Sequence, residues 1–206
     1  MAKMPDEKVL QTENSGALFG PDSDWWHNAR LNVFGIDINA YAIGYRQAAD
    51  FLVERVSQER RYQDTLVYPI AFLYRQYLGL RLKQLVHLSK ILLDHPRAER
   101  NLHHGILKLW QEYRGILEEL HPGEYADDFD KIEVRVAEFD YIDPSSIAFR
   151  YPTNKEGDPS LDGLSHINVR KLAGALGEIP LILEGAASEL DKLLQDRVER
   201  DSLPGT

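Results

Sequence analysis

Arg75, Arg81 and Lys83 fall within one apolar, helix-forming stretch, and the pair His103-His104 opens the next one. Arg75 and Lys83 are eight residues apart, about 80° round a helix at 3.6 residues per turn, so they lie on neighbouring flanks and can border one cleft. A histidine in the first turn of a helix is held toward its neutral form by the helix dipole, and a neutral imidazole can take a proton from a ribose hydroxyl. With His104 as general base and the guanidinium of Arg97 or Arg75 against the charged phosphorane, that set would cleave RNA without a metal. The same cations, with Lys108 one turn into the second helix, would instead hold a nucleotide or RNA without cutting it. Alternatively, His104 caps its helix and the bundle is purely structural or a protein-interaction surface.

A second cluster is Phe149-Arg150-Tyr151-Pro152. An arginine between aromatic rings can grip a phosphate in bidentate fashion while a ring stacks on a base. The plainer alternative buries Phe149 and Tyr151 by strand alternation and pairs Arg150 with an acid such as Asp143. Metal binding is not expected. His87, His95, His103 and His104 lack the i, i+4 spacing of a zinc helix, and Glu118-Glu119-Leu120-His121 supplies only one of the two Glu-x-x-His pairs of a di-iron bundle. Nothing in the sequence calls for a cofactor: there is no glycine-rich phosphate loop and no nucleophile elbow.

The elements that must position these residues are mostly helical. Residues 1–36 are rich in Gly, Pro, Asp, Ser and Asn and show no helical period, so they read as an irregular segment, with Trp25-Trp26 expected to fold back onto the core. The domain proper is expected over 37–200. Tyr41, Tyr45, Ala48, Ala49, Leu52 and Val56 form the stripe of a first helix ending near Glu59. Arg60, Arg61 and Gln63 lead into a second helix, which has Pro69 near its first turn and runs to about Leu93, and a third covers roughly His103 to Leu120, stopped by His121-Pro122-Gly123. The stripe Tyr125, Phe129, Ile132, Val136 and Phe139 marks a fourth. Short connections predict an antiparallel bundle. Pro144, Pro152 and Pro159 with Gly157 and Gly163 interrupt the pattern, and a small β-hairpin is expected over about 145–169, with strands at Ile147–Tyr151 and His166–Val169 and a turn at Asn154–Asp158. A last helical stretch from Arg170 to Arg200 is broken or kinked near Gly177 and Pro180. Residues 201–206 read as a tail.

Composition narrows the partners. The 206 residues are 43% apolar, enough for one sizeable core, and 33 acidic against 24 basic residues give a net charge of −9. Any nucleic-acid contact must therefore come from a local basic patch on an acidic body. There is no cysteine, which excludes disulfides, thiolate metal sites and cysteine nucleophiles. No signal-like apolar stretch opens the chain and no run approaches the roughly 18 apolar residues of a membrane span, so a cytoplasmic protein without membrane contact is expected.

The segment Tyr68-Pro69-Ile70-Ala71-Phe72-Leu73-Tyr74-Arg75-Gln76-Tyr77-Leu78-Gly79-Leu80-Arg81-Leu82-Lys83, followed by His104-Gly105-Ile106-Leu107-Lys108-Leu109, resembles the HEPN family of small helical bundles. Relatives carry a pattern like E-L-x-L-K on one helix and H-D-L-K-K-L on the next. Here Gly79 stands at the family's glutamate and Gly105 at its aspartate. Arg97 precedes His103 and His104 by roughly the interval of the family's Arg to His motif, although Ala98 follows it where a polar residue is usual. The resemblance covers about residues 38 to 120. It implies a HEPN-like bundle of four to five helices, homodimerisation, RNA or nucleotide as ligand, a partner encoded nearby, and a role in toxin–antitoxin systems or phage defence. The two glycines favour a noncatalytic binding module over a ribonuclease.

Overall fold

A computed structural model describes residues 19–31, 38–94, 105–120 and 126–202. The chain divides between Ile36 and Asp37. In the first part, Trp25–His27 form one 3-10 turn. Trp25 and Trp26 stack on each other at 3.9 Å between ring centroids.

The second part is mainly α-helical: α1 (Ile38–Glu59), α2 (Gln63–Leu92), α3 (Ile106–Leu120), α4 (Ala126–Ile142), α5 (Val169–Gly177) and α6 (Ile179–Ser202). Helix α2 is central and packs on α1, α3, α5 and α6. Its buried residues, among them Ile70, Tyr74, Tyr77, Leu78, Leu82, Leu85 and Val86, surround the axis, as a helix with neighbours on several sides requires. Pro69 lies in the second turn, a little deeper than expected, because Gln63, read as leading into the helix, is already its first residue. On α1 the core contacts are Ala42, Ala49 and Val56, small residues that let α2 approach closely. Tyr41, expected in that stripe, is 59% exposed.

Helices α1 and α2 are joined by only three residues and pair Asp50 with Tyr74, as antiparallel neighbours do. Helices α3 and α4 are antiparallel too: Ile106 meets Asp140, Trp110 meets Glu133 and Arg114 meets Asp130. Between α2 and α3, however, the contacts rise together, Gly79 with Ile106 and Lys90 with Glu112. Between α2 and α6 they do the same, Arg81 with Glu184 and Leu92 with Arg197. The expected antiparallel order therefore does not extend to α2 and α3. The reason is reach: residues 93–105 separate them, and a chain of that length spans up to about 40 Å, twice the roughly 20 Å back from Leu92 to Gly79.

The β-hairpin expected over 145–169 is not formed; the segment holds one isolated bridge, Thr153 with Pro159. The carboxylate of Asp143 accepts from the amides of Ile147 (2.7 Å) and Ala148 (3.0 Å), and the amides of Arg150 and Tyr151 donate to the Ile147 carbonyl, so 147–151 coils instead of extending. The Asn154 side chain closes the expected turn by accepting from the amides of Glu156 and Asp158. At the far end, Asn168 accepts from the Lys171 amide and starts α5 where a second strand was expected. The last helical stretch is broken at Glu178, giving α5 and α6. No helix among the described residues is long and apolar enough to cross a membrane.

Candidate functional site

One face of α2 gathers most of the polar residues singled out above. At 100° per residue, Phe72, Arg75, Gln76, Gly79 and Lys83 fall within an arc of about 100° and extend about 16 Å along the axis. The 143–151 segment docks on this face, where the Gln76 side chain donates to the Ser146 hydroxyl at 2.6 Å.

Arg75 is buried. Its Nε donates to the Asp143 carbonyl at 3.1 Å, its Nη2 to the Pro144 carbonyl at 3.5 Å, and Nη2 lies 3.8 Å from Asp140 Oδ1. Burial lowers the pKa of the guanidinium and the carboxylates of Asp143 and Asp140 work against that shift. Gly79 lies beside this arrangement: a Cβ there would make ordinary contacts, 3.4 Å from Arg75 Nη1 and 3.8 Å from Ile106. Asp140 also accepts from the Ile106 amide at 2.7 Å, so a side chain from α4 satisfies the first free amide of α3. Gly105 lies against the same carboxylate, its missing Cβ 3.7 Å from Asp140 Oδ1.

Lys83, two turns along from Arg75, is half-buried. Burial, and secondarily the charge of Arg75, push its pKa down. No carboxylate among the described residues pairs with it. At the other end of the face, Arg150 is exposed, with its guanidinium 5.7 Å from the centre of the Phe72 ring and 5.1 Å from that of Tyr151, and it donates to the Tyr151 hydroxyl at 3.2 Å. The aromatic faces hold the cation by its quadrupole attraction, and among the described residues no acid neutralises it. The alternative pairing with Asp143 does not occur: that residue is fully buried, with Oδ1 bonded to Ile147 and Ala148, whereas Arg150 is exposed. Tyr151 remains 52% exposed, leaving ring surface on which a base can stack.

The other expected ligand-binding residues lie elsewhere. Arg81 is about 160° round α2 from Lys83, buried, and bonded to Glu184 at 2.6 Å and to Gln84. Glu184 also accepts from the Tyr77 hydroxyl at 3.2 Å and lies 3.6 Å from Arg46, so this cluster ties α1, α2 and α6 together. Lys108 is exposed on α3, about 200° round from Ile106, which contacts α2. His104 and Arg97, the expected catalytic pair, lie outside the described residues.

Sequence reasoning missed Phe72, Gln76 and Asp140. The first two carry a legible signal, since 72, 76, 79 and 83 share one helix face. Asp140 has none, because its role depends on the crossing of α4 with the start of α3. The chain matches no family model, no curated protein and no solved structure.

Proposed function

We propose that this chain is a HEPN-like nucleotide- or RNA-binding module, noncatalytic, which holds phosphate at Arg150 and Lys83, towards the two ends of the α2 face. The carrying observation is that these two cations, without a carboxylate partner among the described residues, flank one helix face on an acidic protein. A guanidinium held over aromatic rings is partly preorganised for phosphate contact, and the exposed Tyr151 ring beside it offers a stacking surface. Arg75 weighs toward binding over cleavage, because its donors are already committed to Asp143, Pro144 and Asp140. The toxin–antitoxin or phage-defence setting, the homodimer and a partner encoded nearby enter this reading from the resemblance alone.

Incubating purified protein with a mixed RNA pool in EDTA, with electrophoretic and fluorescence anisotropy readouts, tests it. The reading expects intact RNA, saturable binding, and loss of binding in Arg150→Glu and Lys83→Glu. Cleavage that disappears in His104→Ala would replace it with a metal-independent ribonuclease. Absence of binding to RNA and mononucleotides alike would leave an interaction bundle.

A further inference from the structure

A concavity of about 300 Å³ opens between α4, α5 and the 149–168 segment, away from the α2 face: none of Arg75, Gln76, Lys83 or Arg150 lines it. Phe139 and Phe149, stacked at 6.1 Å between centroids, form its floor with Leu172, Ala175 and Leu176. Its polar lining includes Arg135, Glu138, His166 and Lys171.

We infer that this concavity binds a small amphipathic monocarboxylate, with an acyl or aryl body on the Phe139–Phe149 floor and its carboxylate at Lys171. The volume lies at the small end of ligand pockets, and an apolar lining with a few convergent polar groups is their usual make-up. The charges select a monoanion. Arg135 is already matched by Glu138 at 3.6 Å, and no acid among the described residues pairs with Lys171. One uncompensated ammonium beside an apolar floor complements one carboxylate, whereas a phosphate or a dicarboxylate would bring a second charge with nothing to meet it. On a chain of net charge −9, a rim that is locally basic is a local feature and not a consequence of composition.

Titrating the full chain with decanoate below its micelle concentration, followed by ¹³C methyl shifts of Leu164, Ile167 and Leu172, tests the inference. Saturable shifts confined to these methyls are expected, with affinity falling on the order of tenfold in Lys171→Glu, an exposed position whose substitution leaves the fold intact. Ala175→Trp, its fold checked by circular dichroism, should abolish the shifts by filling the floor. Decyltrimethylammonium, with the same tail and the opposite charge, should produce none. The inference is overturned if decanoate gives no saturable shift, if the cation binds equally well, or if Lys171→Glu binds decanoate as the unaltered chain does.

Discussion

Arg75 and Asp140 meet at 3.8 Å across α2 and α4, and the same Asp140 oxygen accepts from the Ile106 amide at 2.7 Å. One carboxylate thus ties the central helix to the starting turn of α3. Together with the docked 143–146 segment, this junction covers the middle of the α2 face around Arg75 and Gly79, so the cations that remain accessible lie towards its two ends, at Arg150 and Lys83.

Arg75 is 2% exposed, so its truncation leaves the Asp140 carboxylate and two carbonyls facing a void. Arg75→Ala should lower stability by about 3–5 kcal/mol, the usual consequence of removing one partner from a buried ion pair. Asp140→Asn, which can still accept from Ile106, should cost clearly less than Asp140→Ala. Urea denaturation gives these values, and equal losses for the two Asp140 variants would contradict the capping role.

Lys83 makes a prediction of opposite sign. Its folded pKa lies below the ordinary lysine value, so between the two the unfolded chain binds more protons and stability rises with pH through that window. At neutral pH the charged, half-buried ammonium is destabilising. Lys83→Met should raise the melting temperature at pH 7 while weakening RNA binding, and its advantage should shrink as pH approaches the ordinary lysine value. A lower melting temperature for the variant at pH 7 would refute this.

Asp143 holds the segment that carries Arg150. It is fully buried and accepts from two amides, so Asp143→Ala should cost about 1–3 kcal/mol by leaving them unpaired. Hydrogen exchange should quicken at Ile147 and Ala148, and RNA affinity should fall although no cation has been removed. Unchanged exchange at those amides would argue against it.

At Gly79 an added Cβ would make ordinary contacts, 3.4 Å from Arg75 Nη1 and 3.8 Å from Ile106. Gly79→Ala should be tolerated and even gain about 0.5–1 kcal/mol from the lower entropy of the unfolded chain. Gly79→Glu should destabilise, since the longer chain must displace the Arg75 guanidinium or Ile106. Thermal melts of the two variants check the order.

How much of this could be read from the sequence depends on whether the cause was local. The helices of α2, α3 and α4 follow from 3.6-residue periodicity, and the stripe Phe129, Ile132, Val136, Phe139 is buried as its spacing requires. The strands at Ile147–Tyr151 and His166–Val169 failed because two side chains, Asp143 and Asn168, take up amides that a ladder would need. The parallel course of α3 beside α2 was hidden because a connection as long as residues 93–105 permits either sense, and periodicity does not choose between them. Arg75, Lys83, Arg150 and Tyr151 were legible as candidates by residue type. That Arg75 is buried against backbone carbonyls, and that Arg81 closes a separate cluster with Glu184, depends on contacts between residues some 70 to 100 positions apart in the chain.

The measurement that tests the central claim most directly is the salt dependence of single-stranded RNA binding, compared between the unaltered chain and Arg150→Ala. If Arg150 contacts a phosphate, the slope of log affinity against log salt should be shallower in the variant by about 0.7, one phosphate's share for single strands. Identical slopes, or no salt dependence in either protein, would contradict a phosphate-binding α2 face.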